Sequence, residues 1–135
     1  MTIERYAGAA SWEQTYGYCR VVRAGGWAIT AGTTATGPDG VVHRGDPYGQ
    51  ARAAFGIALE ALQAVGVPSD RVVRTRMYVI DIAHQAEVGR AHRELFGTDP
   101  PVATMVQVSG LADPDHLVEV EVEAYVGGDA RPGPV

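Results

Sequence analysis

The stretch LVEVEVEAYV, residues 117–126, limits what this chain can become more than any other. Glutamates and valines alternate there with a period of two, a pattern that a β-strand turns into one apolar and one polar face. Val118, Val120 and Val122 then supply a core face. Glu119, Glu121 and Glu123 project together from the other, roughly 6.5–7 Å apart along the strand. A solvated acidic face is the plain reading of such a row. The alternative, a carboxylate lining a cleft, is the one that carries chemistry.

Other elements follow from local signals. CRVVRA and WAITAG flank Gly25-Gly26, and glycines supply the positive φ angles of a two-residue hairpin turn. GPDG at 37–40 marks another turn, followed by a short VVH strand. Asp46 can cap a helix with Pro47 in its first turn, where a missing N–H costs nothing. Ala51, Phe55, Ala58, Leu62 and Val65 make its apolar stripe, and Gly66 closes it. RVVRTRMYVID reads as a strand with Val73, Thr75, Met77 and Val79 on one face and Arg74, Arg76, Tyr78 and Ile80 on the other. A weaker helix covers about 84–96, and VATMVQV precedes the acidic strand. The predicted order is β-β-(β)-α-β-α-β-β, with both helices on one sheet face because neither has a second apolar stripe. The other face mixes Arg, Thr, Gln and Glu with Val, Tyr and Trp, and self-association would cover it.

Bulk numbers narrow the function. The 135 residues are read as a single domain, 1–135, with 1–10 and 127–135 as loose termini. A formal charge of −5 counts against a nucleic-acid partner, since phosphate binding rests on clustered Lys and Arg. No apolar run approaches the ~20 residues of a membrane span, so no membrane partner is expected. One cysteine, Cys19, and no basic-then-apolar leader point to the cytoplasm. The four histidines lack metal-ligand spacing, so no metal is expected.

Five segments in order, GYCR, ITAGTTA, VVRTRMYVID, PPVATMVQVSGL and LVEVE, resemble the Rid (YjgF-type, reactive-intermediate-deaminase) family from about Tyr16 to Val126. The resemblance implies an α+β, chorismate-mutase-like subunit assembled as a homotrimer, with a small-molecule ligand bound in clefts between subunits. It also implies cofactor-independent hydrolysis of reactive enamines and imines to a keto acid and ammonia. Carried across, the family's N-terminal tyrosine falls on Tyr18 and its small hairpin residue on Ala31. The water-positioning glutamate falls on Glu119.

The arginine of the family's P-x-R-[ST] segment, which clamps a substrate carboxylate, is replaced. The segment here is Pro101-Val102-Ala103-Thr104, and Met105 stands where a cysteine is often found. Arg76, Arg74 or Arg20 could supply a clamp from another position, or could pair with Glu119, Glu121 and Glu123 across the sheet. Trp12 and Tyr16 could wall the cleft. Three functions remain open: an enamine or imine deaminase using Glu119, a non-catalytic metabolite-binding or protein-interaction trimer, and an RNA-cleaving protein. The acidic balance makes the last the least favoured.

Overall fold

The structure is a computed structural model, and it describes residues 2–127. Residues Ile3–Tyr6 (β1) are followed by a short helix, Ser11–Tyr16 (α1). The hairpin strands are Val21–Ala24 (β2) and Trp27–Thr30 (β3), joined through Gly25 at φ 61°. Next come Thr33–Thr34 (β4) and a two-stranded ribbon of Thr36–Gly37 (β5) and Gly40–Val41 (β6). The long helix Pro47–Ala64 (α2), strand Val72–Val79 (β7), helix Gln85–Phe96 (α3) and strands Val102–Gln107 (β8) and Val118–Tyr125 (β9) complete the chain.

The main sheet runs β1-β2-β3-β9-β7-β8, with β4 paired to the first half of β9 beyond the end of β3. β9 is therefore central, flanked by β7 on one side and by β3 and β4 on the other. β7 and β8 run parallel, joined through α3 as a crossover. The α+β architecture with both helices against one sheet face is the predicted one. Val118, Val120, Val122 and Ala124 of β9 are fully buried with Phe55, Ala58 and Leu62 of α2 and Val88 and Ala91 of α3. Each buried Val, Leu or Phe side chain of this set contributes about 1.5–3 kcal/mol over exposure.

The capping signals act as their chemistry requires. Asp46 Oδ1 accepts the Gly49 N–H at 2.9 Å. At the other end Val67 N–H donates to Leu62 O and Gly66 N–H to Gln63 O, with Gly66 at φ 78°, a Schellman closure. His92 of α3 lies beside Phe55 and Phe96 with Nε2 2.7 Å from Thr75 Oγ1, and burial holds its pKa below the ordinary histidine value.

Two expectations are corrected, and one element is new. The N-terminal ten residues are not loose throughout: β1 pairs antiparallel with β2, Ile3 opposite Ala24 and Tyr6 opposite Val21. α1 was not foreseen either. Val73 does not share the core face with Thr75, Met77 and Val79, because a register shift between Val72 and Arg74 sends Val72 inward and leaves Val73 exposed. Of the C-terminal segment expected to be loose, residues 128–135 lie outside the described residues.

Candidate functional site

The acidic row of β9 lies on the sheet face away from the helices, and its members meet different surroundings. Glu123 accepts Arg76 Nη1 at 2.6 Å and lies 4.0 Å from Arg74 Nε. Glu121 accepts the Tyr78 hydroxyl at 2.7 Å and lies 3.9 Å from Arg76. The bond to Glu121 raises the Tyr78 pKa, and the bond to Glu123 raises that of Arg76. Arg74 and Arg76 are thus engaged by protein carboxylates, and Arg76 is not held free for a ligand within its own subunit.

Glu119 stands between Thr34 of β4 and Tyr78 of β7. Among the described residues its carboxylate accepts no hydrogen bond and makes no ion pair. Partial burial raises its pKa above the ordinary glutamate value, and Glu121 adds to the rise. His116 and Arg20 oppose it. The carboxylate is seated against the backbone of Gly32, where a Cβ would fall 2.0 Å from Glu119 Oε2. Only glycine leaves that space.

Arg20 supports this end of the sheet from beneath. It is 6% exposed, with Nε and Nη2 at 3.2 and 3.1 Å from Glu13 Oε2. Its Nη1 donates to Gly32 O at 2.7 Å and Thr33 Oγ1 at 3.1 Å. The guanidinium is consumed by structure, which corrects the reading of Arg20 as a substitute clamp. Tyr18 covers it, ring centroid 5.5 Å from Cζ, with its own ring partly open to solvent. Ala31 joins the cluster through its backbone, N–H to Arg20 O and carbonyl accepting from Thr33 Oγ1, both at 2.9 Å.

Tyr18, Ala31 and Glu119 are therefore gathered about Gly32 and Arg20. Ala103 and Met105 are not with them. They sit on the outer strand β8, opposite Thr75 and Met77, and so belong to the helix side of the sheet, whereas Glu119 belongs to the open side. Met105 packs against the core and Ala103 is exposed. Trp12 and Tyr16 meet edge to face at 6.0 Å on α1, both exposed. A shallow depression of about 600 Å³ bounded by Thr2, Glu4, Arg23, Gly25 and Val65 does not include Glu119. Cys19 is half-buried with its thiol 3.5 Å from Val21 O. No group of three or more His, Cys, Asp or Glu side chains among the described residues is placed to hold a metal ion. No helix among them is long and apolar enough to cross a membrane.

Comparison with known proteins agrees with the fold. The sequence profile of the family described as Endoribonuclease L-PSP matches residues 9–126. A crystal structure of a Mycobacterium tuberculosis member of the YjgF/YER057c/UK114 family superposes with a TM-score of 0.84 at 38% identity, covering 93% of this chain and 100% of that one. The chain belongs to the YjgF/Rid (endoribonuclease L-PSP) family. An uncharacterized protein of Streptomyces coelicolor is 43% identical over 125 residues, 93% of each chain. The Escherichia coli YjgF gene product, 23% identical with a TM-score of 0.77 over 90% of this chain and 94% of its own, shares the fold.

Sequence reasoning missed two neighbours of Glu119. Thr34 stands directly across from it, and His116 lies two residues before the start of β9, 7% exposed with Nε2 3.0 Å from Thr36 Oγ1. The adjacency of His116 to the LVEVE motif was the available signal.

Proposed function

We propose that this YjgF/Rid protein is a cofactor-independent hydrolase of a small reactive imine or enamine, with Glu119 as the group that positions and deprotonates the attacking water. One observation carries the reading. Of three carboxylates in one row, Glu119 alone lacks a cationic or hydroxyl partner among the described residues, and burial shifts it toward accepting a proton nearer neutrality. A proton taken from water would rest on Glu119 and pass to the departing nitrogen, so that ammonia leaves and a carbonyl remains.

The assembly belongs to the proposal. Ala103 and Met105 lie on a sheet edge and on the opposite face from Glu119 within one subunit. Three copies of the single domain 1–135 would bring the β8 edge of one beside the Glu119 end of the next. Exposed Val102 and Val106 on β8 and Ile29, Trp27 and Tyr125 on the open face are apolar surface such packing would cover. The cytoplasm suits a chain whose one cysteine is free.

Arg20, Arg74 and Arg76 are all committed to carboxylates, and Ala103 offers no charge, so the favoured substrate is one without a carboxylate to be clamped. The same observation favours a second reading, a trimer that binds a small metabolite without turning it over. Ammonia release from enzymatically generated imines, with and without carboxylates, separates the two. Hydrolysis faster than in Glu119→Gln supports the enzyme. Stabilisation by a ligand with no turnover across the panel supports the binder and defeats the enzyme. An RNA-cleaving activity, as the family description suggests, finds little support in a row of glutamates whose neighbouring arginines are neutralised.

A further inference from the structure

The residues behind Glu119 form a hydrogen-bonded chain with a fixed direction. His116 Nε2 is 3.0 Å from Thr36 Oγ1, and Thr36 Oγ1 is 2.9 Å from Thr34 Oγ1. Thr34 is the antiparallel partner of Glu119, so the two side chains share the open face about 4.5–5.5 Å apart at Cβ. Each hydroxyl has one hydrogen to give. Which way the chain runs therefore depends on which nitrogen of His116 carries the proton.

The protein settles that choice at the other end of the ring. His116 Nδ1 is buried and has no partner among the described residues. A proton there would be an orphaned buried donor, which folded proteins avoid more strictly than an unused lone pair. A ring with a single hydrogen would thus carry it on Nε2 and donate to Thr36. Thr36 keeps its own hydrogen to give, and Thr34 Oγ1 at 2.9 Å is its acceptor among the described residues. The Thr34 hydroxyl hydrogen is then left over, with no acceptor among the described residues, on the face it shares with Glu119.

The backbone that carries the ring is held in place. Buried Gln50 of α2 grips the backbone on both sides of it, Nε2 donating to Asp115 O at 3.0 Å and Oε1 accepting from Leu117 N–H at 2.8 Å. The same amide donates to His43 O at 3.3 Å. A fully buried glutamine spent on two residues that bracket one histidine fixes the loop Asp115–Leu117 to the helix.

We propose that Thr34 is a further site residue, a hydroxyl donor beside Glu119 that holds the attacking water, with Thr36 and His116 as the positioning residues that aim it. The proposal rests on the hydrolase reading for the identity of what Thr34 holds, but not for the direction of the chain. A water bound there would accept the Thr34 hydrogen on one lone pair, give a proton to Glu119, and attack the imine carbon with its other lone pair. No charge is left behind on the chain.

Two measurements test it. Long-range proton–nitrogen NMR spectra of the full chain, with the His116 signals assigned by their loss in His116→Gln, should show Nε2 protonated and Nδ1 bare at neutral pH. Protonation at Nδ1 reverses the chain and overturns the proposal whether or not the protein turns over any substrate. In the imine assay, Thr34→Val should lower kcat about tenfold at little-changed KM, the effect of losing one neutral hydrogen bond, and Thr34→Ser should restore most of it. Equal kcat for Thr34→Val and the unmodified protein, with matched Tm, also overturns it. An unmodified protein that releases no ammonia from any imine defeats the hydrolase reading and Thr34 as a water holder. The NMR result still decides whether Thr34 is the free donor.

Discussion

The two ends of the acidic row on β9 have the same local sequence and opposite chemistry. At one end Glu121 and Glu123 are answered by Tyr78, Arg76 and Arg74 from β7, and the result is a closed lattice of charges. At the other end Glu119 faces Thr34 and the bare backbone of Gly32, while Arg20, whose charge reaches it, is turned to Glu13. The difference lies in the neighbouring strands, not in β9. A carboxylate with a cation beside it is structural, and a half-buried one without a partner is held at a cost that function can explain.

The widest separation between the two ends is expected in turnover. Glu119→Gln should lower imine hydrolysis roughly 10²–10⁴-fold, the usual contribution of a placed carboxylate base. Glu123→Gln should leave it within a few fold, since its partners lie along the structural part of the row. Comparable losses in both variants would erase the distinction between the ends. Gly32→Ala sharpens it further, because the added methyl would collide with Glu119 Oε2 and displace the carboxylate while leaving Glu121 and Glu123 in place. That variant should behave kinetically like Glu119→Gln.

Stability should divide the other way. Arg20→Met strands the buried Glu13 carboxylate and removes the hydrogen bonds to Gly32 O and Thr33 Oγ1, a loss of about 3–5 kcal/mol by chemical denaturation. Glu123→Gln releases pairs that are partly open to water, so its smaller loss should fade as salt is added. A salt-sensitive Arg20→Met or a salt-insensitive Glu123→Gln would mean that burial has been assigned to the wrong pair.

Much of the frame was legible because local rules agreed with the fold. The period-two pattern gave β9, the Asp46-Pro47 start and Gly66 stop bounded α2, and Gly25-Gly26 marked the β2–β3 hairpin. The family's five segments pointed to Tyr18, Ala31 and Glu119, which the fold links through Arg20 and Gly32. What escaped depended on tertiary pairing. Ile3–Tyr6 is a strand only because β2 offers its edge, since all four of its residues are exposed and no core face announces it. The shift at Val73 reverses one residue's side without altering composition. Arg20 looked available because nothing in the chain between 13 and 20 says that α1 folds Glu13 back onto it. Thr34 and His116 are joined through hydroxyls that no spacing rule encodes.

The smallest effect is also the most specific to Glu119. Its pKa is raised in the folded protein mainly by desolvation, so between the unfolded and folded values the native state binds more protons than the unfolded chain. Stability contributed by this group is therefore present at acid pH and lost as pH rises through the folded value. At neutral pH the ionised carboxylate works against folding. Glu119→Gln should consequently raise Tm slightly at pH 7, and the gain should shrink as pH falls through the folded value toward the ordinary glutamate range. The reverse trend, a variant less stable at pH 7 than the unmodified protein, would mean that Glu119 has a stabilising cation, and the two ends of the row would then be alike.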